Sequence, residues 1–190
     1  MKPIIFNAES VRAILDGRKT QTRRVVPAFP FSDDWKHWNG RPEWERRDCP
    51  FGQPGDTLWV RETFLVQPEL WAAGHSPQPV HYASDTPRNQ AEDYALKPSI
   101  HMPRWASRIT LKITDIRVER LQDISTDDAA REGITYAPGS YELEWMTPYQ
   151  RERKRLADFQ AMWDTINAKR GYPWESNPYV WVLEFSRDAA

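Results

Sequence analysis

Gly17-Arg18-Lys19-Thr20-Gln21-Thr22-Arg23-Arg24 separates a short helical pattern from a strand pattern. Its glycine turn brings two hydroxyls, one lysine and three arginines into a small volume. Neighbouring positive charge disfavours a protonated amine, so a low pKa is expected for Lys19. A neutral Lys19 beside Thr22 would activate that hydroxyl as a nucleophile. The same side chains would also suit a bound phosphate or a solvated basic strand edge, and a turn lysine is expected to contribute little to packing.

The composition is that of one globular domain of 190 residues with a formal net charge of −1. Residues 1–26 contain six basic and two acidic side chains, an excess that points to an anionic partner near this end. The single cysteine, Cys49, excludes an internal disulfide. No apolar run approaches ~18 residues, and no signal-peptide pattern opens the chain. A cytoplasmic protein without a membrane partner is expected.

Tryptophan and proline are abundant, with ten and sixteen residues, and many lie in stretches without regular periodicity. These large side chains would either hold loops in place or offer flat surfaces on which a nucleobase stacks. For the second role we expect at least one of Trp35, Trp38, Trp59, Trp71 and Trp105. Trp59 and Trp105 are favoured because they flank core strands.

The first 26 residues predict a strand, a short helix and a second strand. An apolar run covers residues 2–6, and the helix begins after a capping Asn7 and ends at Gly17 in the left-handed conformation. Alternation over residues 20–26 gives two faces, one with Thr20, Thr22 and Arg24 and the other with Gln21 and Arg23. Lys19, at the turn, is free to share the side of Thr22.

Two irregular insertions, at about 27–54 and 65–103, flank a strand predicted over residues 57–64. The second insertion contains a short strand pattern at residues 80–83. Glu62 shares a face with apolar residues of the strand. It is therefore either buried with a partner, such as an arginine of the 18–24 cluster, or part of the site.

The longest strand pattern covers residues 108–121, and its apolar phase flips between Ile113 and Ile116. A phase flip without a turn residue indicates a bulge, which helps a sheet to curl. A short helix follows, with Ser125 and Asp128 as capping acceptors. It ends at Glu132, where a carboxylate faces the negative end of the helix dipole unless a cation pairs with it.

The last third predicts a helix and a covered strand. Thr147 and Pro148 with Gln150 form a start signal, an apolar stripe follows at helical spacing, and residues 179–185 are apolar on both faces. The expected fold is α+β: a small, mostly antiparallel barrel of about five or six strands with about three packed helices. The four histidines lack metal-ligand spacing, so neither a metal site nor a cofactor is expected.

The segments GRKTQTRR, GDTLWVRE, MPRWASRITLKITDIRVERLQDI, AAREGI and YVWVLEF, taken in this order, resemble the ASCH domain, a relative of the PUA fold. The resemblance is greatest to prophage-associated members that carry Trp-rich insertions. It implies a single ASCH, PUA-like domain over residues 1–190, with the two insertions largely outside the compact core.

The resemblance also implies an activity, that of bacterial amidohydrolases which release the acyl group from N(4)-acetylcytidine. The lysine, threonine and glutamate that such enzymes use match Lys19, Thr22 and Glu132. Thr22 would be the nucleophile with Lys19 as its base, or Glu132 would activate water while Lys19 and Thr22 stabilise the oxyanion. Substrate-binding side chains are expected among Arg23, Arg24, Trp59, Glu62 and Trp105.

The partner implied by this activity is a small nucleoside. The alternative function is a non-catalytic RNA-binding module of the PUA-like type, in which arginines hold phosphate and tryptophans stack on bases. Either a monomer or a dimer is compatible with the sequence.

Overall fold

The computed structural model describes residues 1–26, 49–74, 80–86, 93–136 and 144–187, and within these ranges the chain forms eight strands and four α-helices. The strands are β1 (Lys2–Ile5), β2 (Gln21–Val25), β3 (Thr57–Arg61), β4 (Phe64–Val66), β5 (Val80–Tyr82), β6 (Ala95–Lys97), β7 (Thr110–Arg120) and β8 (Tyr179–Arg187). The helices are α1 (Ala8–Leu15), α2 (Pro68–Ala72), α3 (Thr126–Arg131) and α4 (Pro148–Asn167). The mixed α+β composition expected from the sequence is confirmed.

The main sheet has the strand order β1-β3-β7-β8-β2. Only β1 and β3 pair in parallel, and the other neighbours are antiparallel. No strand ladder joins β1 to β2 among the described residues. Instead, Arg24 Nη2 in β2 donates to the main-chain oxygen of Ile5 in β1 at 2.7 Å. The curled sheet is therefore an open barrel whose edges are bridged by a side chain.

The predicted bulge lies in β7. Its register against β8 shifts between Ile113 and Asp115, so Ile113 and Ile116 both remain buried in the same apolar cluster. The strand thereby keeps its apolar side chains inside while it bends. The pattern of residues 108–121 is confirmed in both its length and its irregularity.

The predicted helix caps are present as well. Asn7 and Ser125 each accept a hydrogen bond from the main-chain N–H three residues on, at 2.8 and 3.0 Å. Thr147 and Gln150 form a reciprocal capping box at the start of α4. Gly133, which follows α3, has φ +98°, a conformation that L side chains rarely adopt.

The segment predicted as one strand over residues 57–64 is split between two sheets. β3 ends at Arg61 in the main sheet, and β4 begins at Phe64 in a three-stranded sheet of order β5-β4-β6. The strand expected at residues 80–83 is confirmed as β5. However, the prediction that residues 65–103 are irregular is wrong for their described part. Residues 27–48, with Trp35 and Trp38, lie outside the described residues.

The end of α3 lies against the start of β2, which is an edge strand of the main sheet. The N–H of Thr20 donates to the main-chain oxygen of Arg131 at 2.9 Å, which joins the start of β2 to the end of α3. On the other side, α3 packs on α4 around Phe159 and Trp163. The loop that carries Lys19 is therefore held against the C-terminus of α3.

Candidate active site

Lys19 and Glu132, 113 positions apart in the chain, form the centre of the site. Their main chains form an isolated antiparallel bridge. Lys19 Nζ donates to Glu132 Oε2 at 2.6 Å and to the main-chain oxygen of the same residue at 2.8 Å. The N–H of Lys19 donates to Ala13 at the end of α1, at 2.9 Å. The amine is thus held by the end of α3, and the main chain of Lys19 is held by the end of α1.

The second oxygen of Glu132 also faces a cation. Arg23 Nη1 lies 3.3 Å from Glu132 Oε1, and the Arg23 side chain is only 1% exposed. The two cations compensate the unfavourable position of a carboxylate at a helix C-terminus. The expectation that Glu132 needs a cationic partner is confirmed.

Burial dominates the chemistry of the pair. The side chains of Lys19 and Glu132 are each 3% exposed. Desolvation lowers the pKa of Lys19 below its ordinary 10.5, the charges of Arg24 and Arg23 lower it further, and the Glu132 carboxylate opposes both effects. The expected low pKa thus has burial as its main cause. The expectation that Lys19 contributes little to packing is wrong, because its side chain is enclosed.

Phe6 and Arg24 border the amine on the side of β1. Lys19 Nζ lies 5.8 Å from the centre of the Phe6 ring, and the Arg24 guanidinium lies 4.9 Å from the same ring. Both cations therefore lie close to the same aromatic ring. This places Arg24, a predicted substrate-binding residue, at the edge of the Lys19 site.

Thr22 lies in β2 opposite Leu183 of β8 and is 2% exposed. Strand alternation puts it on the face that carries Arg24, whereas Gln21 and Arg23 occupy the other face. Within the described part of the chain, no hydrogen bond occupies the Thr22 hydroxyl. Its oxygen is thus available as a donor or an acceptor to a bound molecule.

Arg23 belongs to a buried network that the sequence did not predict. It donates to Gln21 at 2.6 Å, to Glu119 at 2.5 Å and to Asp128 at 3.3 Å, in addition to Glu132. Arg117 extends the network by contacting Glu119, Asp128 and Glu184. These carboxylates lie about a hundred positions or more from β2, so no local pattern in the sequence pointed to them.

The positive excess of residues 1–26 is partly compensated in space. Arg23 pairs with three carboxylates from outside this segment, and Lys19 pairs with one of the same three. The cluster therefore differs from the solvated basic edge that the sequence left open, because Lys19 and Arg23 are buried. Its guanidinium groups are engaged mainly with the protein's own acids and carbonyls.

Glu62, Trp59 and Trp105 lie apart from the Lys19–Glu132 pair. Glu62 is 2% exposed and accepts from Arg108 at 3.0 Å and from Ser84 at 2.9 Å. The suggestion that an arginine of the 18–24 cluster pairs with it is wrong. Among the described residues, Glu62 and Lys19 share no hydrogen-bond or ion-pair partner.

The two favoured tryptophans differ in exposure. Trp59 is 7% exposed. The guanidinium groups of Arg61 and Arg104 lie 4.8 and 5.8 Å from the centre of its ring. Trp105 is 37% exposed. Trp71, which is half-buried, packs edge-on against Phe64. In the described ranges, only Trp105 of these three presents a substantial surface to solvent.

The described residues contain no group of three or more His, Cys, Asp or Glu side chains placed to hold a metal ion. Each helix within the described ranges is too short or too polar to cross a bilayer.

Comparison with known proteins gave one solved structure. The chain is similar to the ASCH domain from Lactobacillus crispatus JV V101, at 12% identity and a TM-score of 0.38, covering 98% of this chain and 78% of that one. The similarity concerns the fold alone, and neither activity nor substrate follows from it. No family model and no curated protein matches the chain.

Proposed function

We propose that the protein is an amidohydrolase that removes the acyl group from N(4)-acylated cytosine nucleosides such as N(4)-acetylcytidine. The observation that carries the proposal is the buried contact between Lys19 Nζ and Glu132 Oε2, at 2.6 Å. Lys19 is a buried amine with a lowered pKa, and it lies just before β2, the strand that carries the Thr22 hydroxyl. Such an amine is suited to general-base chemistry. These are also the side chains that the resemblance to the amidohydrolases implies.

In the first half of the reaction, Thr22 Oγ1 attacks the acyl carbonyl carbon and neutral Lys19 takes the hydroxyl proton. The tetrahedral intermediate then collapses. Its bond to the exocyclic nitrogen breaks, and Lys19 returns the proton to that nitrogen, so cytidine leaves with its amino group. The acyl group remains on Thr22 as an ester.

In the second half, a water molecule attacks the ester carbonyl and Lys19 again accepts a proton. The carbon–oxygen bond to Thr22 breaks, the proton returns to Thr22 Oγ1, and the carboxylic acid leaves. Glu132 holds the Lys19 amine in position throughout, while Arg23 holds Glu132. Arg24, on the face of β2 that carries Thr22, would orient the nucleoside.

The other mechanism assigns water activation to Glu132, with Lys19 and Thr22 stabilising the oxyanion. The ion pairs favour the first mechanism. Each oxygen of Glu132 already faces a cation, Lys19 at 2.6 Å and Arg23 at 3.3 Å. Accepting a proton at Glu132 would remove a charge that the buried Arg23 guanidinium faces and that stabilises Lys19 once the amine has taken up a proton.

The test is incubation of the purified protein with N(4)-acetylcytidine, followed by the loss of amide absorbance. We expect turnover without an added metal or cofactor. Absence of turnover with acetyl, propionyl and benzoyl derivatives alike, in a protein shown to be folded, would contradict the proposal.

A second candidate function is RNA binding without catalysis, and one observation favours it. Trp105 is exposed beside Arg104, and neither Arg104 nor Arg61 forms an ion pair with any described residue. Stacking on Trp105 with phosphate contacts from these arginines would give salt-sensitive binding. A steep loss of RNA affinity between ~50 and ~200 mM salt, without nucleoside turnover, would support this candidate instead.

A further inference from the structure

A groove of about 370 Å³ lies beside the Lys19–Glu132 pair. The proposed reaction steps involve none of its side chains. Two chain segments connect it to the reacting centre. Gly133 lines the groove, directly follows Glu132 and approaches the Lys19 side chain; Asn7 also lines it and directly follows Phe6, whose ring lies 5.8 Å from Lys19 Nζ. The groove is therefore next to the reacting centre along the chain, and its volume falls within the range of small-molecule sites.

The lining of the groove is rich in oxygen acceptors. Glu9 and Asp158 contribute carboxylates from α1 and α4, and Thr165 contributes a hydroxyl. The described side chains that line it include neither lysine nor arginine. Ile134 and Met162 supply an apolar surface. Such a lining suits a molecule that carries several hydroxyl donors on a compact carbon frame.

Asp158 is held in a fixed orientation. Tyr136 Oη donates to Asp158 Oδ2 at 2.6 Å, and Lys154 Nζ donates to the same oxygen at 2.9 Å and to Oδ1 at 3.2 Å. A carboxylate has about four acceptor positions, so these two donors leave capacity for a ligand. A pre-oriented acceptor of this kind confers selectivity at little entropic cost.

The charge of the groove discriminates among ligands. Lys154 compensates Asp158, and Arg18, which contacts Gly133 and Thr135 of the lining, is itself compensated by Asp16. Glu9 forms no ion pair with any described residue, so the lining keeps a net negative charge. A phosphate would meet this charge without a cation in the wall to bind it. A neutral sugar would instead find acceptors for its hydroxyls.

We infer that this groove is the ribose subsite, and that it selects uncharged nucleosides over both free bases and nucleoside phosphates. The inference rests on the proposed function, since it places the acylated base at Lys19 and Thr22. The sugar then occupies the space between the start of α1 and the face of α4. It contacts Asp158 and Glu9 through its hydroxyls.

The test compares kcat/KM for N(4)-acetylcytosine, N(4)-acetylcytidine and N(4)-acetylcytidine 5′-monophosphate. For the parent protein we expect the nucleoside to exceed both others by about tenfold, the worth of one good hydrogen bond to a charged group. In the double variant Glu9→Gln, Asp158→Asn, the preference for nucleoside over base should fall by about tenfold. The penalty on the monophosphate should also shrink.

Glu152→Gln is the matched control, because it removes a carboxylate from an exposed position of the same helix, outside the groove. It should leave all three kcat/KM values within a factor of about two. Melting temperatures of the variants establish that they are folded. Equal efficiency on base and nucleoside in the parent, or an equal loss on all three substrates in the double variant, would overturn the inference.

Failure of the proposed function would look different, since none of the three substrates would then react. In that case calorimetry measures the affinities of the protein for cytidine and for cytosine, and so tests whether the groove binds ribose. Tighter binding of cytidine that the double variant abolishes would support a ribose subsite. Equal binding, or none, would overturn it.

Discussion

Burial has the largest influence on the Lys19 amine, and the Glu132 carboxylate acts against it. Desolvation lowers the pKa of Lys19, so the neutral form required of a base becomes accessible below the ordinary value of 10.5. The ion pair with Glu132 keeps the amine in place. We therefore expect turnover to rise with pH towards the pKa of the buried amine.

The first prediction concerns this amine. Lys19→Met keeps most of the side-chain volume but removes the base, so hydrolysis of N(4)-acetylcytidine should be abolished. Lys19→Arg should fail as well, because a guanidinium does not lose its proton near neutral pH. Turnover is measured by the loss of amide absorbance.

Stability must be measured in parallel. Removing one partner of a buried ion pair costs about 3–5 kcal/mol, although Arg23 still faces Glu132 in the Lys19→Met variant. Circular dichroism and a melting curve show whether the protein is folded. Retained turnover in a folded Lys19→Met protein would exclude the lysine from the mechanism.

The second prediction concerns the Thr22 hydroxyl. Thr22→Val preserves the β-branched shape in β2 and should lose ~10³-fold or more in kcat if the oxygen forms the covalent bond. Thr22→Ser keeps the hydroxyl and should retain partial activity. If Thr22 were only part of the strand, Thr22→Val would be harmless or mildly stabilising, and an unchanged rate would disprove the nucleophile.

At the scale of single residues, the resemblance implied that Lys19 and Glu132 belong to one site, and the structure brings the two side chains into contact. The residues around the pair were not predicted. The bridge between Lys19 and Glu132 and the hydrogen bond from Thr20 to Arg131 hold the two segments together. The partners of Arg23 could not be predicted. Glu119 and Asp128 approach it only through the pairing of β7 with β8 and of β8 with β2.

The third prediction concerns the element boundary after α3. Gly133 has φ +98°, and a Cβ there would lie 3.1 Å from Ala13 Cβ and 3.4 Å from Lys19 Cβ. Gly133→Ala should therefore cost about 1–3 kcal/mol in backbone strain. It should also displace Lys19, lowering kcat by about tenfold to a hundredfold.

Gly74→Ala is the matched control for this substitution. Gly74 has φ +73° and follows α2, but a Cβ there would meet nothing within 4 Å. In this variant, backbone strain should lower the free energy of unfolding by a similar amount, and kcat should stay unchanged. If both variants lower kcat equally after correction for the folded fraction, the close approach of Gly133 to Lys19 has no catalytic importance.

The sequence predicted those elements that are set by residues close to one another in the chain. Caps at Asn7, Ser125 and Thr147 act within three residues, and the bulge in β7 appears as a phase flip along one strand. The change of sheet between β3 and β4 had no such signal. It occurs where the chain passes through Glu62, whose partners Arg108 and Ser84 are distant in sequence.

In the whole molecule, opposite charges pair between elements that are far apart in the sequence. The basic excess of the first 26 residues predicted an anionic partner, yet Glu119, Asp128 and Glu132 compensate Arg23 from β7 and α3. A count over a sequence window cannot include acids that folding brings in from a hundred positions away. The same pairing makes stability dependent on pH.

The last prediction concerns that dependence. Burial raises the pKa of Asp128, but the hydrogen bond from Gln21 and the charges of Arg23 and Arg117 outweigh it, so its pKa lies below the ordinary 3.8. The folded state therefore binds fewer protons than the unfolded state between these two values, and stability rises with pH there. The contribution of Asp128 is complete above about pH 4 and disappears as the pH falls through the pKa of the folded state.

The melting temperature of the parent protein should decline steeply below about pH 4. Asp128→Asn should lower it near neutral pH and flatten the acid decline. Asp127→Asn should have a much smaller effect on both, because the Asp127 side chain is exposed and forms no hydrogen bond or ion pair with any described residue. Identical acid profiles for the parent and Asp128→Asn would show that the network around Arg23 does not stabilise the fold through this carboxylate.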